Sequence, residues 1–298
     1  MPEVINSPAM LETARPRVSE LRRIARVMFN RWVVISGSVI LLALIIIAIF
    51  APLLAPHDAY KQNLRNSLAQ PTKEYVLGTD ELGRDLLSRI IWGSRISIMV
   101  GVVAVSIAGL FGMGLGLIAG YYGGWVQTII MRCIDTLMAL PPLLLILAIA
   151  AVLGGGMFNV LVAIGIGLLP TYCRLMCGQI LTLKESDYVT AARSMGASNL
   201  RIMFRHLLPN SFPPLLVLIT LNMGSAILME ASLSYLGIGI SQPTPTWGAM
   251  VSSGYKYLLS NPLLSFAPGV CILLVVLAFN LVGDGLRDAL DPRLRGTI

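Results

Sequence analysis

The sequence predicts an all-α integral membrane protein with six transmembrane helices, and three observations carry that expectation. Hydrophobic residues make up 56% of the 298-residue chain and charged residues only 12%, against about 25% charged in soluble globular domains. Six stretches are apolar enough to cross a hydrocarbon core of roughly 30 Å, which takes about 20 residues of helix. Lysine and arginine are unevenly shared among the segments between those stretches, as a fixed membrane topology requires.

The first stretch, residues 32–56, carries no charge and follows Arg15, Arg17, Arg22, Arg23, Arg26 and Arg31. A cleaved signal has a shorter apolar core of about 7–15 residues followed by a small-residue cleavage site. Residues 32–56 therefore read as a retained helix behind a cytoplasmic tail, residues 1–31. The other five run from Ile96 to Gly120, Trp125 to Leu153, Met157 to Cys173, Pro214 to Leu236 and Leu263 to Gly283. Six crossings return the chain to the cytoplasm, where residues 286–298 form a second tail. On this topology 15 of the 22 lysines and arginines lie inside, which is the expected bias. The net charge of +7 is thus a topogenic signal. No basic patch interleaved with aromatics grips nucleic acid, so membrane lipid is an expected partner and nucleic acid is not.

Between the first two spans lies a polar stretch, residues 57–95, long for a connection in a compact protein and so expected to be structured. It starts with turn residues and then offers Leu86, Leu87, Ile90 and Ile91 at helical spacing, with Arg84, Arg89 and Arg95 on other faces. That pattern predicts a helix lying at the membrane interface outside the cell.

Inside the spans, Gly112, Gly116 and Gly120 line up at four-residue intervals and predict a helix-packing face. Pro141 and Pro142 predict a bend in the third span, whereas Pro213 and Pro214 fall at the entry to the fifth, where proline costs little. Arg132 and Asp135, three apart, predict an ion pair on one helix surface, and Asp284, Arg287 and Asp288 read as residues at the inner boundary. Glu230 is the clearest ionisable residue within a span, which makes it a functional candidate. Two readings remain open for it: a place on a solute path or against a second subunit, or a carboxylate reaching interfacial water.

Catalytic chemistry finds no support. Cys133, Cys173, Cys177 and Cys271 sit in or beside spans, and although Cys173 and Cys177 share a helical face, no neighbouring histidine or carboxylate completes a metal site. His57 and His206 lie outside the spans. The chain has no GxxxxGK[ST] phosphate loop, so ATP is not bound here in that manner. No cofactor or metal is expected in this chain.

The longest inner loop, residues 184–209, reads as two short amphipathic helices. Ser186 or Asp187 can cap the first, with Tyr188, Ala191, Ala192 and Met195 on one face, and Gly196 can end it through a left-handed backbone conformation. Ser198 or Asn199 can cap the second, with Leu200, Phe204 and Leu207 on one side, Arg201 and Arg205 on another, and Pro209 just past its end. Spacing alone fits equally a lever that docks into a soluble partner and a hairpin resting on the bilayer.

This loop resembles the cytoplasmic signature of ABC importer permeases, a Glu-Ala-Ala stretch with glycine four residues after the second alanine and Leu-Pro further on. Ala191, Ala192, Gly196, Leu208 and Pro209 match, and Thr190 stands where the name-giving glutamate would be. The run from Gly78 to Ile98, the run from Ala231 to Gly239 followed by Pro245, Trp247 and Gly248, and the ending from Phe279 to Gly296 look like the dipeptide, oligopeptide and nickel permeases of that group. The outer loop with its Gly-Arg-Asp run resembles the second permease, usually labelled C. The resemblance implies a type I importer fold with residues 96–285 as the permease core and 184–209 as the coupling-helix loop. It implies a heterodimer with a second permease, two cytoplasmic ATPases that bind the ATP and Mg, and an extracytoplasmic solute-binding protein. It implies import of peptides or nickel across the cytoplasmic membrane of a bacterium or archaeon by a non-catalytic subunit. Tyr188, Ala191, Ala192, Gly196, Arg201, Arg205 and Pro209 are then the expected ATPase contact, and a self-contained secondary transporter is the rival reading.

Overall fold

The computed structural model describes residues 28, 31–240 and 242–290. The N-terminal tail other than Met28 and Arg31, and the C-terminal tail from residue 291, lie outside the described residues. Helices account for most of what is described. The long ones are α1 (Trp32–Ile49), α2 (Leu86–Tyr122), α5 (Met157–Leu183), α7 (Asn199–Tyr235) and α9 (Leu263–Leu290). Shorter ones are α3 (Gly124–Met138), α4 (Pro142–Leu153), α6 (Asp187–Ser194) and α8 (Trp247–Tyr255).

Glycines mark where these helices touch, and they give the order and direction of packing. A Cβ at Gly37 of α1 would lie 2.8 Å from that of Leu281, and one at Gly285 of α9 would strike Val34, so α1 and α9 run antiparallel. Gly283 similarly seats Leu221, and Gly224 meets Val276, placing α7 antiparallel to α9 on its other side. Gly101 of α2 touches the Met223 carbonyl and Ile227 of α7. The missing side chains let these backbones close together, a contact that in lipid must be won by van der Waals packing because hydrocarbon tails are as apolar as leucine.

The longest seam joins α2 to α5. Gly112 faces Leu169 and Tyr172, Gly116 faces Cys173 and Met176, and Gly120 faces Ile180, while Gly165 seats Ile107. Residue numbers rise together along both helices, so α2 and α5 are parallel. The chain must therefore return across the bundle between them, and α3 with α4 makes that return, bent by 91° at the break between Met138 and Pro142. At 1.5 Å per residue the two helices supply roughly 40 Å of path, enough for one crossing. The third span is thus broken where a kink was expected: Pro141 takes an extended backbone and Pro142 opens α4 as its first residue, as proline and its predecessor prefer. With this pair counted once, six spans stand.

Several expected boundaries move. The fourth span does not stop at Cys173 but continues as α5 to Leu183. The outer segment holds no separate interfacial helix: the stripe Leu86, Leu87, Ile90 and Ile91 forms the first turns of α2, which runs unbroken to Tyr122. Pro213 and Pro214 are not at a helix entry but inside α7. There Pro209, Pro213 and Pro214 remove the N–H donors that Arg205, Pro209 and Asn210 carbonyls would otherwise accept. Just before them the ladder widens to a π-helical stretch, Ile202–Leu207, with the Leu208 N–H reaching back to the Met203 carbonyl. Asp135 does not pair with Arg132 on its own helix. It pairs with Arg174 of α5, which joins two helices. Asp288 pairs with Arg31, linking the beginning of α1 to the far end of α9.

Candidate functional site

Two ends of the bundle carry structure beyond spanning helices. At one end, α2 and α5 finish and the chain turns through α6 into α7. Ser186 precedes α6, though its hydroxyl makes no capping bond to the first turn, and Asp187 and Arg193 complement the helix dipole at the start and end. The helix closes at Gly196, whose φ of +77° lies in the left-handed region that glycine enters without a Cβ penalty. The Ala197 N–H reaches the Ala192 carbonyl at 3.1 Å, a Schellman turn. Ser198 then caps α7 by accepting from the Arg201 N–H, and the Tyr121 hydroxyl donates to Asn199 Oδ1 at 2.8 Å, tying the turn to the end of α2.

The faces differ from those the spacing predicts. Val189 and Ala192 turn inward on α6, and Ile202, Met203 and Leu207 do so on α7. Tyr188, Ala191, Gly196, Arg201, Arg205 and Pro209 are exposed, so of the predicted contact set only Ala192 is buried. Leu207 leaves the predicted stripe because the π stretch closes i→i+5 rings, and spacing worked out for 3.6-residue turns fails across it. What remains outside is a cluster of large apolar groups, Met195 at 81%, Leu200 at 64% and Phe204 at 58% exposure, bracketed by Arg201 and Arg205. The surface is apolar at its centre and basic at its edge, and it stands on a firmly packed root.

The opposite end is built on a buried polar network that the sequence reading missed. Arg84 Nε donates to Asp80 Oδ2 at 2.6 Å, and Arg89 Nε lies 3.5 Å from the same oxygen. Asp80 Oδ1 accepts the backbone N–H groups of Leu82 and Arg84. Arg84 Nη2 donates to Gln242 Oε1 at 3.3 Å, while Arg89 Nη1 donates to the Ala59 carbonyl at 3.0 Å and the Pro243 carbonyl at 3.5 Å. Arg84 and Arg89 are each only 2% exposed, where separate surface charges were expected. Asp85 caps α2 through the Ser88 N–H at 2.8 Å. Trp247 seats its indole against Gly93 and donates Nε1–H to the Ile90 carbonyl at 3.0 Å. Residues 57–85, the start of α2 and the loop before α8 are thereby joined into one rigid cap. The i,i+4 spacing of Asp80 and Arg84 is the signal in the sequence that could have found this pair.

Glu230 belongs to this end too. It is 1% exposed and accepts from the Ser234 hydroxyl at 2.6 Å. The helix α8 packs against this stretch of α7, where a Cβ at Gly248 would lie 2.4 Å from the Ala231 Cα.

Comparison with known proteins agrees with this architecture. The model of the binding-protein-dependent transport system inner membrane component matches residues 112–296, and that of the N-terminal TM domain of oligopeptide transport permease C matches residues 19–71. The dipeptide transport system permease protein DppC of Alkalihalophilus pseudofirmus is 43% identical over 97% of this chain and 95% of its own. The di/tripeptide transport system permease protein DppC of Pseudomonas aeruginosa is 46% identical over 88% of each. The glutathione transport system permease protein GsiD of Pectobacterium atrosepticum is 43% identical over 92% of this chain and 91% of its own. Among solved structures, an inward-facing form of the MetNI methionine ABC transporter superposes with a TM-score of 0.55 at 18% identity, covering 68% of this chain and 97% of that one, a likeness of fold. With six spans, a short helix hung between the fourth and fifth, and these matches along nearly its whole length, the chain belongs to the family of binding-protein-dependent transport system inner membrane components, the membrane-spanning permeases of ABC importers.

Proposed function

We propose that this chain is the C-type permease of an ABC importer for short peptides, working as a heterodimer with a second permease. Two ATPases below it hydrolyse ATP, and a solute-binding protein outside delivers the peptide. The observation that carries the reading is the exposed apolar and basic surface on α6 and the start of α7, together with relatives whose names specify dipeptides, di/tripeptides and glutathione. In this reading Tyr188, Ala191, Ala192, Gly196, Arg201, Arg205 and Pro209 belong to the ATPase docking element. Closure of the ATPases on ATP pushes α6, and the push passes through the turn at Gly196 and the π stretch into α7, which spans the membrane. A widened ladder beside three prolines is the part of α7 with fewest backbone bonds to resist bending. The subunit itself supplies a path and a lever and no catalytic group.

Gly196→Val tests the lever. A β-branched residue is strained in the left-handed region, but no atom lies within 4 Å of its Cβ position, so the bundle is left intact while α6 is re-aimed. ATP-driven uptake of Ala-Ala by the reconstituted complex is expected to fall at least tenfold with normal membrane insertion. Uptake at the wild-type rate would defeat the lever, and no uptake by the wild-type complex would defeat the peptide reading.

The same reading puts both termini and α6 in the cytoplasm. A membrane-impermeant maleimide added to intact cells should label Lys73→Cys at once and Met195→Cys only after the membrane is opened. The reverse pattern would invert the topology.

A further inference from the structure

A cavity of about 260 Å³ opens beside the rigid cap, lined by Glu81, Ser234, Gln242, Ser252, Ser253 and Lys256. Its volume falls just below the roughly 300–1,000 Å³ typical of small-molecule sites. Its chemistry is unusual for a protein that is mostly apolar, because polar groups of both signs converge on it from three separate elements: the outer segment, the end of α7 with its following loop, and α8.

Glu81 and Lys256 line the same space, yet among the described residues neither has an oppositely charged side chain within ion-pair distance. Glu81 has only a long contact, with the Tyr257 hydroxyl at 3.5 Å. The remaining groups are set up to complement two opposite charges on one ligand. Gln242 Oε1 is engaged by Arg84, which turns the amide so that its NH2 is left to donate. The hydroxyls of Ser234, Ser252 and Ser253 donate to Glu230, the Tyr235 carbonyl and the Met250 carbonyl respectively, so each oxygen retains capacity to accept. The free amide NH2 can donate to a ligand carboxylate, and the hydroxyl oxygens can accept from a ligand ammonium. The mount is rigid on two sides, since the Asp80 network holds the backbone on either side of Glu81 and also fixes Gln242.

We infer that this cavity is a receiving site for a short zwitterionic peptide: Glu81 takes the terminal ammonium and Lys256, with the Gln242 amide, takes the terminal carboxylate. Two residues of extended chain span about 7 Å, and Glu81 and Lys256 line the same cavity without forming an ion pair with each other. Charged groups separated across a small, partly enclosed space discriminate by repulsion as well as attraction, so a peptide capped at either end loses one pairing and leaves a protein charge unanswered. The inference rests on the peptide-importer reading and deepens it, because it places a recognition step in the permease as well as in the delivering protein.

The test uses the detergent-purified complex of both permeases and both ATPases, without the binding protein, and saturation-transfer NMR with Ala-Ala as the probe. Wild type is expected to give a signal at least fivefold above that of N-acetyl-Ala-Ala and of Ala-Ala amide. Glu81→Gln and Lys256→Gln should each lower the Ala-Ala signal at least fivefold, while Glu81→Asp and Lys256→Arg keep at least half of it, which separates lost charge from lost folding. No wild-type signal, or equal signals from wild type and both neutral variants, would overturn the site. Uptake of Ala-Ala by the complete wild-type complex with its binding protein and ATP separates the two claims. Uptake without a signal removes the cavity alone, and absence of uptake removes the importer reading beneath it.

Discussion

Gly116→Ile is expected to prevent the bundle from assembling, leaving a chain that inserts but aggregates when extracted in mild detergent. A Cβ at this position would lie 2.4 Å from the Cys173 carbonyl oxygen and 2.7 Å from the Met176 Cβ. The first is a backbone atom of a packed helix and cannot step aside, so α2 and α5 would have to separate along a seam that runs from Ala104 to Gly120. Overpacking in a core costs about 1–3 kcal/mol where side chains can adjust, and here the obstruction is backbone. Gly114→Ile supplies the control on the same helix, since no atom lies within 4 Å of its Cβ position. Size-exclusion elution of the two variants should differ completely, and a monodisperse Gly116→Ile complex would show that the parallel α2 and α5 contact does not hold the bundle together.

Asp80→Asn should produce the second large effect, at the opposite end. The side chain keeps its shape but loses its charge, which leaves Arg84 and Arg89 buried with carbonyl and amide partners alone. Removing one member of a buried ion pair costs roughly 3–5 kcal/mol, mostly as the penalty of an uncompensated charge. The melting temperature of the purified complex is expected to fall, and proteases should begin to cut within residues 57–85. Exposed Glu74 in the same segment supplies the comparison, because a surface substitution away from such features is usually within about 0.5 kcal/mol of neutral. Equal melting of Asp80→Asn and Glu74→Gln would mean that the cap is held by its backbone contacts and not by its charges.

These two expectations come from different layers of information. The packing face at Gly112, Gly116 and Gly120 was legible in the sequence because small residues at four-residue intervals have one geometric consequence in a helix. Which helix they meet, and in which direction it runs, was not legible, since their partners Leu169, Cys173 and Ile180 lie about 60 residues onward across a broken span. The turn at Gly196 was legible because left-handed backbone is a property of the residue itself. The stripe assigned to Leu207 failed because the π stretch depends on prolines further along α7 and on how the widened turn packs.

The sequence by itself determined the class of protein. Apolar length, the distribution of 22 lysines and arginines, and the glycine and proline positions are local properties, and the bilayer, by demanding that each backbone group be satisfied within its own segment, turns them directly into spanning helices. Only the tertiary structure decided what the polar residues do. Asp80, Arg84 and Arg89 became a buried cap, Asp135 chose Arg174 over Arg132, Glu230 was buried beside Ser234, and Glu81 and Lys256 came to face one cavity. Each of those outcomes depends on groups brought together from distant parts of the chain, and a charge in a low-dielectric setting is governed by the partner within a few ångströms, wherever in the sequence that partner lies.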